Sequence, residues 1–248
     1  MLLKDKVAIV TGGAAGIGKG IVELFAEQGA RLFVIDSNRS GVESACEEVK
    51  TAGGIARPFA GDVRRQEDMA AVVDAAMKEF GRIDILINNA GIYPRLRFLD
   101  MTEAEWDRIL DVNLKGVYHG TRLVVPHMTA QGSGKIVNIS SVTFFAGIAN
   151  LTHYVSAKGA VIGFTRALSR EMGPFNVHVN CISPGAVEVE SEKAVATPEQ
   201  VAATVALQSL QRRIVPLDIA RTCLFLSCEL SDGLTGQTLN VDGGWIMH

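Results

Sequence analysis

Near its start the chain reads Lys6-Val7-Ala8-Ile9-Val10-Thr11-Gly12-Gly13-Ala14-Ala15-Gly16-Ile17-Gly18. The apolar run at 7–10 is typical of a buried strand in a parallel sheet. The glycines that follow, spaced G-x-x-x-G-x-G, let the backbone turn tightly and approach a pyrophosphate at the positive N-terminus of the next helix. The turn alone is weak evidence for dinucleotide binding, because an ordinary strand-to-helix turn also accommodates glycine.

Apolar strands and helical segments alternate along the rest of the chain at the spacing of βαβ units. Further strands are predicted at Arg31–Ile35, Ile55–Ala60, Ile83–Ile87, Lys135–Ile139, Val177–Ile182 and around Thr238–Val241. We therefore expect a single α/β domain over residues 1–248, with a doubly wound parallel sheet of about seven strands flanked by helices. Ligands of such sheets bind outside the carboxyl ends of the strands.

An acidic residue follows the second predicted strand. Asp36 lies eighteen residues after Gly18, where a carboxylate can accept hydrogen bonds from both ribose hydroxyls of an adenosine and repels a 2′-phosphate. Neither Ala15 nor Ser37 supplies a positive charge that would reverse this preference. The residues favour NAD over NADP as the cofactor.

A tyrosine and a lysine lie four residues apart at the start of another predicted helix, His153–Gly173, so that Tyr154 and Lys158 share one face. An ammonium about 4 Å away favours a phenolate by about 4 kcal/mol at an effective dielectric near 20. That would bring the tyrosine pKa, ordinarily about 10, close to 7. Ser141, just after a strand, is placed to donate to an oxygen that gains charge. The trio suits proton transfer to or from an alcohol oxygen, although a lone Y-x-x-x-K also arises by chance on amphipathic helices.

A capping box, Thr102-Glu103-Ala104-Glu105, predicts the start of a long helix that runs through Val117. Asn113 lies inside this helix, where an amide costs a little helix propensity. Taken alone, that position predicts a solvent-facing side chain. For His153, beside Tyr154, we expect a satisfied place on the helix surface.

Composition excludes several classes of function. The 248 residues carry a formal net charge of −3 with no basic stripe, so neither nucleic acid nor a membrane surface is an expected partner. We expect no signal peptide, and no apolar run approaches the roughly 20 residues of a membrane helix. The cysteines lack metal-ligand spacing, so we expect no metal and buried thiols in a reducing, cytoplasmic compartment. They are Cys46, Cys181, Cys223 and Cys228.

Together these features resemble the short-chain dehydrogenase/reductase family, in its short single-domain branch, over essentially the whole chain. The resemblance implies a Rossmann-like fold. It is carried by Thr11-Gly12-x-x-x-Gly16-Ile17-Gly18, Asp62-Val63, Asn88-Asn89-Ala90-Gly91, Asn113, Ser141, Tyr154, Lys158, Pro184-Gly185 and Gly236-Gln237-Thr238-Leu239-Asn240-Val241-Asp242-Gly243-Gly244.

The resemblance implies a role for each of four residues. Tyr154 would be the general acid/base, and Ser141, thirteen residues earlier, would position the substrate oxygen. Lys158 would lower the tyrosine pKa and bind the nicotinamide ribose, and Asn113 would hold a water that links the lysine to solvent. The neighbouring Ser140 is interpreted as structural.

The resemblance also implies the residues that contact NAD, with Asp62 and Val63 beside the adenine. They are Gly12, Ala15, Gly16, Ile17, Gly18, Asp36, Asp62, Val63, Asn89, Ala90, Gly91, Tyr154, Lys158, Pro184, Gly185 and Val187. The chain departs from the family at Val189, where a threonine commonly helps to hold the cofactor. The family further implies a homotetramer, with a dimer as the alternative.

The substrate side is less defined by the sequence. A substrate lid is expected around residues 186–215, where a polar, irregular stretch precedes a helix that begins at Thr197. Expected substrate contacts come from Ser141, Tyr154, Tyr93 and Phe145, and would favour an apolar or aromatic substrate. Phe145 suits the core equally well. Nearby arginines are expected to be solvated rather than to meet a substrate anion.

The predicted activity is that of an NAD-dependent short-chain alcohol dehydrogenase or carbonyl reductase, which transfers a hydride between NAD(H) and a secondary alcohol, ketone or related compound. Parts of the chain resemble family members acting on aryl-alkyl secondary alcohols or on pyridoxal. The alternative from another class is a non-catalytic NAD-binding sensor or scaffold on the same fold. An epimerase or dehydratase of the longer branch would need an additional C-terminal substrate domain.

Overall fold

A seven-stranded sheet forms the centre of the molecule, for which a computed structural model describes residues 1–190 and 197–247. All paired neighbours are parallel, in the order β3-β2-β1-β4-β5-β6-β7. The strands are β1 Val7–Thr11, β2 Arg31–Asp36, β3 Ile55–Ala60, β4 Ile85–Asn88, β5 Gly134–Ile139, β6 Val177–Pro184 and β7 Thr238–Val241. The chain direction across the sheet reverses between β1 and β4, which makes their carboxyl ends the topological switch point. The predicted doubly wound sheet is confirmed.

Helices cover both faces of this sheet. They are α1 Gly16–Glu27, α2 Arg39–Thr51, α3 Gln66–Phe80, α4 Glu103–Leu110, α5 Gly116–Gln131, α6 Thr143–Ala146, α7 Thr152–Met172, α8 Pro198–Ala206 and α9 Pro216–Ser227. Among the described residues, no helix is both long and apolar enough to cross a membrane.

Strand β1 explains why the sheet is buried on both sides. Its side chains alternate, so that Ala8 and Val10 pack into a cluster with α1, α2 and α9. Val7 and Ile9 pack into the opposite cluster, with α3 and α5. Because both faces of the strand are covered, all its positions are apolar or small, as the sequence indicated.

The predicted capping boxes are confirmed. Thr102 Oγ1 accepts from the Glu105 amide at 3.3 Å, while the Glu105 carboxylate accepts from the Thr102 amide at 2.9 Å. Thr197 and Gln200 form the same pair at the start of α8. The long helix predicted after Thr102 is interrupted, however, by one π-helical turn at Asp111–Lys115 that separates α4 from α5.

Two other segments differ from the sequence prediction or fall partly outside the description. Strand β4 begins at Ile85 rather than Ile83, because Asp84 uses its carboxylate to accept the Val7 amide at 2.9 Å. Of the expected lid, residues 191–196 lie outside the described residues. The first part of this segment is hydrogen-bonded to its last part: the Glu188 amide donates to the carbonyl of Ile214 at 2.8 Å.

Candidate active site

The glycine-rich turn between β1 and α1 is a steric cradle. Gly12 and Gly16 have φ values of 69° and 54°, in the left-handed region that favours glycine. A Cβ on Gly18 would lie 1.9 Å from the carbonyl oxygen of Gly12, and one on Gly12 would lie 2.8 Å from Cα of Ala90. The turn therefore presents bare backbone at the N-terminus of α1, as a pyrophosphate site requires.

Asp36, at the carboxyl end of β2, is held against this turn. One carboxylate oxygen accepts from the Ala14 amide at 3.1 Å and the other from the Asn38 amide at 2.8 Å. The side chain is only half-buried. A negative charge therefore borders the cradle on the side where the sequence predicts the adenosine ribose.

Asn89 joins the ends of β1 and β4. Its amide nitrogen donates to the carbonyls of Thr11 at 3.0 Å and Gly12 at 2.9 Å. The Thr11 hydroxyl in turn accepts from the amides of Asn89 and Ala90, each at 3.0 Å. Asn89 thus fixes the cradle through its side chain, and the backbone of 89–91 forms its edge.

The two residues predicted beside the adenine have different environments. The carboxylate of Asp62 bonds to the Arg64 guanidinium at 2.6 Å, and this hydrogen bond holds the pKa of Asp62 below its usual range. Val63 is only 7% exposed and packs in the core. Its carbonyl accepts from Nδ1 of His119 at 3.0 Å. The loop after β3 is therefore anchored to α5.

Asn113 lies in the π-helical turn and is completely buried, so the solvent-facing position that its sequence context alone predicted is wrong. Its amide nitrogen donates to the carbonyls of Ile92 at 2.9 Å and Ile109 at 3.0 Å. Its Oδ1 has no hydrogen-bond partner in the described part of the chain. A Cβ on Gly91 would lie 2.7 Å from that oxygen and 3.4 Å from Nζ of Lys158. The π turn thus turns an acceptor toward the lysine, and π-helical turns recur at functional sites.

Lys158 is 3% exposed. Its Nζ donates to the carbonyl of Ile139 at 2.8 Å and lies 5.6 Å from the centre of the Tyr154 ring. Burial lowers the pKa of Lys158 to about 8, against a smaller opposing influence from Cys181. The hydroxyl of Ser140 donates to the Lys158 carbonyl at 2.8 Å, a structural contact between β5 and α7.

The pKa of Tyr154 differs from the value that the sequence predicted. Desolvation raises it to about 12, while a hydrogen bond with Ser141 acts in the opposite direction. The expected shift toward 7 is wrong in this structure, because desolvation of the phenol outweighs its hydrogen bond with Ser141. The phenol is therefore in its protonated form at neutral pH.

Ser141 completes the group. It is 7% exposed, and its Oγ accepts from the amide and the hydroxyl of Thr143 at 3.2 and 3.0 Å. The same hydroxyl reaches Tyr154. The serine after β5 and the tyrosine in the first turn of α7 are thus brought together, as their spacing predicted.

Tyr93 and Phe145, both predicted to contact the substrate, lie in different environments. The ring of Tyr93, 46% exposed, lies 6.0 Å from that of Tyr154 and forms a wall beside it. Phe145 instead packs against a buried cluster that includes Val117 and Val161, which is the core alternative that the sequence left open. Arg97 pairs with Asp100 at 2.7 Å.

The segment after β6 closes the other side of the cradle. The Gly185 amide donates to the Val241 carbonyl at 3.0 Å, and Val187 forms an isolated parallel bridge with Ile214. A Cβ on Gly16 would lie 3.2 Å from Cγ1 of Val189. An apolar methyl therefore covers the glycine-rich turn at the position where the family commonly has a hydroxyl. The sequence identified the substitution but not this contact.

His153 is the functional candidate that the sequence missed. Its expected place on the helix surface is wrong, because the side chain is completely buried. The sequence carries no signal for this burial, because helical periodicity alone does not show whether position 153 faces solvent or another helix. Within the described residues, no group of three or more acidic, histidine and cysteine side chains could hold a metal ion.

Known proteins match nearly the whole of this chain. A family model described as enoyl-(acyl carrier protein) reductase matches residues 12–246. The 3-oxoacyl-(acyl-carrier-protein) reductase of Thermotoga maritima is 36% identical over 248 residues, covering 100% of both chains. The D-xylose 1-dehydrogenase of Caulobacter vibrioides is 36% identical over 245 residues, covering 98% of this chain and 96% of its own.

A solved structure is also similar over nearly the whole chain. It is a 7α-hydroxysteroid dehydrogenase in complex with NADH and 7-oxo glycochenodeoxycholic acid, with a TM-score of 0.95 and 34% identity, covering 99% of this chain and 96% of that one. The chain belongs to the short-chain dehydrogenase/reductase family. It is accordingly an oxidoreductase of the nicotinamide-dependent kind.

Proposed function

We propose that this protein is an NAD(H)-dependent alcohol dehydrogenase or carbonyl reductase, which transfers a hydride between the cofactor and a secondary alcohol or its ketone. The observation that carries the proposal is the meeting of Ser141 and Tyr154 near Lys158, with Asn113 facing the lysine across Gly91. The group lies at the carboxyl edge of the sheet, next to the glycine cradle.

The residues present fit a dinucleotide. The cradle has no room for side chains at Gly12 and Gly18. The buried acceptor of Asn113 has no hydrogen-bond partner within residues 1–190 and 197–247. The negative charge of Asp36 supports NAD over NADP, because it would repel a 2′-phosphate. Contacts are proposed from Gly12, Ala15, Gly16, Ile17, Gly18, Asp36, Asp62, Val63, Asn89, Ala90, Gly91, Tyr154, Lys158, Pro184, Gly185 and Val187.

When bound, NAD(H) supplies the hydride donor or acceptor. Tyr154 exchanges the proton: its hydroxyl gives a proton to the carbonyl oxygen in reduction and becomes a phenolate, and in oxidation the phenolate form takes the proton of the alcohol. Ser141 accepts from Thr143, which leaves its own hydroxyl proton to stabilise charge on the same oxygen. One of the three N–H donors of Lys158 bonds to the Ile139 carbonyl. Two donors therefore remain for the cofactor ribose or for a water held by Asn113.

For the substrate, we propose an apolar or partly apolar alcohol or ketone that lies against Tyr93. Its exposed ring beside Tyr154 supports this proposal. The relatives bear names of quite different substrates, namely an acyl thioester, a pentose and a steroid. Substrate choice therefore depends on the loops around the shared group rather than on the group itself.

A homotetramer in a reducing, cytoplasmic setting is part of the same proposal, with a dimer as the alternative. Exposed apolar side chains on the outer helices support assembly, with Tyr118 on α5 48% and Leu217 on α9 40% exposed. All four cysteines are buried free thiols, as in reducing compartments. Sedimentation should give a multiple of the 26.5 kDa chain mass, and a monomer at micromolar concentration would contradict this part.

The test is a substrate panel with purified protein, read at the absorbance band of reduced nicotinamide. It contains aryl-alkyl and cyclic secondary alcohols, pyridoxal, D-xylose, a 7α-hydroxysteroid and a 3-oxoacyl thioester, each with NAD(H) and with NADP(H). We expect turnover of one class with NAD(H). Activity with NADP(H) alone would overturn the role of Asp36. NADH binding without turnover of any member would favour the sensor alternative.

A further inference from the structure

The helix that carries Tyr154 has an unusual N-terminus. The first four amides of a helix lack partners within it and are normally satisfied by a side chain at the N-cap. In α7 the N-cap residue is Leu151, which has no side-chain acceptor, and the first turn contains no acidic residue. The Val155 amide bonds to the Leu151 carbonyl at 2.8 Å. The amide of Tyr154 must find its acceptor elsewhere.

That acceptor is the preceding side chain. Nδ1 of His153 accepts from the Tyr154 amide at 2.9 Å. Because Nδ1 is the acceptor in this hydrogen bond, the contact requires the tautomer that carries its proton on Nε2. The imidazole therefore acts as the cap of α7, and it does so at the backbone of the residue proposed to transfer the proton.

The same histidine is costly for the fold. Its side chain is 0% exposed, and its Nε2 has no hydrogen-bond partner among the described residues. A buried donor without an acceptor lowers stability. A leucine would fill this space without that cost, so packing alone does not account for a histidine here.

Helix α4 provides the other wall of this site. It packs against α7, and Glu105, whose carboxylate closes the α4 capping box, lies near His153. The imidazole is thus enclosed between two helix N-termini, with its Nδ1 directed at α7. This enclosure leaves the ring little freedom to turn away from the Tyr154 amide.

We propose that His153 is a positioning residue: it caps α7 through the Tyr154 amide and thereby fixes the Tyr154 hydroxyl relative to Ser141 and the reacting oxygen. The role in turnover rests on the proposed function, whereas the cap itself does not. A displaced tyrosine transfers its proton less efficiently, since a misplacement of about 1 Å can cost about 100-fold in rate.

Three substitutions separate positioning from packing. His153→Leu keeps most of the volume and removes the acceptor. His153→Asn restores it, because Oδ1 of asparagine occupies the place of Nδ1 along the side chain. His178→Leu is the matched control. His178 lies at the amino-terminal end of β6, whereas the proposed site lies at the carboxyl ends of the strands. Its ring contacts the Leu234 carbonyl at 3.2 Å.

The first readout is hydrogen exchange at the Tyr154 amide, measured at residue resolution by mass spectrometry. We expect about tenfold faster exchange in His153→Leu, and wild-type exchange in His153→Asn and His178→Leu. The second is steady-state kinetics on any substrate that the wild type turns over. There kcat should fall about tenfold or more in His153→Leu with NADH affinity unchanged, and recover in His153→Asn.

The melting temperature of His153→Leu should be equal to or higher than that of the wild type, so a loss of kcat would not reflect unfolding. Unchanged exchange at the Tyr154 amide in His153→Leu would overturn the proposal. So would a loss of kcat that His153→Asn fails to recover although it folds. If the wild type turns over no substrate, the proposed function fails, while the exchange experiment still decides whether His153 caps the helix.

Discussion

The proposed cofactor cradle (residues 12–18) and the proposed proton-transfer group (Asn113, Ser141, Tyr154 and Lys158) lie side by side at the carboxyl ends of the strands, yet they are built on different principles. In the cradle, polar groups are satisfied by the chain itself, as with Asp36, which accepts two amides. In and beside the proton-transfer group, Oδ1 of Asn113 and Nε2 of His153 are buried and have no hydrogen-bond partner among the described residues. An ammonium, that of Lys158, is almost fully withdrawn from water there.

Substitutions in the two sites should therefore affect different properties of the protein. The cradle depends on backbone contacts that leave no room for a methyl group, so changes there should damage fold and binding together. The proton-transfer group maintains desolvated polar atoms at a cost in stability, as active sites do. Changes there should reduce turnover while leaving the fold intact or more stable.

Gly18→Ala, in the cradle, should have the largest effect. Its Cβ would lie 1.9 Å from the Gly12 carbonyl oxygen, so the turn must open, at a cost of about 3 kcal/mol. We expect NADH binding to be lost and the melting temperature to fall, as measured by fluorescence titration and calorimetry. Gly163→Ala in α7 is the control, because its Cβ would meet nothing within 4 Å and alanine is the better helix former. Equal behaviour of the two variants would contradict the steric account.

Lys158→Met tests the proton-transfer group. Burial lowers the Lys158 pKa from 10.5 to about 8 in the folded state, so the charged lysine opposes folding at neutral pH. After allowance for the lost bond to Ile139, we expect the variant to be about 2 kcal/mol more stable at pH 7 and nearly inactive.

The pH dependence of that stability gain has a definite sign. Because the folded pKa of Lys158 is depressed, the unfolded chain binds more protons between pH 8 and 10.5, and wild-type stability gains from this group as the pH rises through that window. The advantage of Lys158→Met should be complete below pH 8 and shrink above it. A variant that is less stable than the wild type at pH 7 would show that the lysine stabilises the fold.

The ionisation of Tyr154 offers a smaller effect. Desolvation raises its pKa from 10 to about 12, so a titration of the phenolate absorbance band in the free protein should show no ionisation of Tyr154 near neutral pH. The difference between wild type and Tyr154→Phe isolates its contribution. A phenolate that appears near neutral pH in that difference would restore the lysine effect that the sequence predicted.

The smallest expected effect concerns cofactor choice. Asp36→Asn keeps one acceptor for the Ala14 amide but removes the charge. The preference for NADH over NADPH, measured as a ratio of dissociation constants, should fall about tenfold at low salt and less at high salt. An unchanged ratio would remove Asp36 from the account of specificity.

The sequence predicted most of the cradle because its rules are local and steric. The apolar strand, the glycine spacing at Gly12–Gly18 and the acid at the end of β2 each follow from short-range geometry, and all were found where expected. The capping boxes at Thr102 and Thr197 were equally accessible, since each lies within four residues.

The electrostatics of the reactive group could not be predicted in this way. The pKa of Tyr154 depends on how far the phenol itself is desolvated and on its hydrogen bond with Ser141, and a four-residue spacing on a helix reveals neither. His153 was placed on the surface because helical periodicity does not reveal that α4 covers it. The buried side chain of Asn113 likewise bonds to the Ile92 carbonyl, 21 residues earlier, a contact that the local sequence does not indicate.

The most direct test of the central claim compares Tyr154→Phe with the wild type on the substrate that the panel identifies. Loss of the hydroxyl should lower kcat by about 1,000-fold, within the range for general acid–base groups, while the dissociation constant of NADH and the melting temperature stay near wild-type values. A variant that retains more than a tenth of wild-type kcat would contradict proton transfer by Tyr154. Loss of NADH binding with the fold preserved would assign the tyrosine to the cofactor site instead.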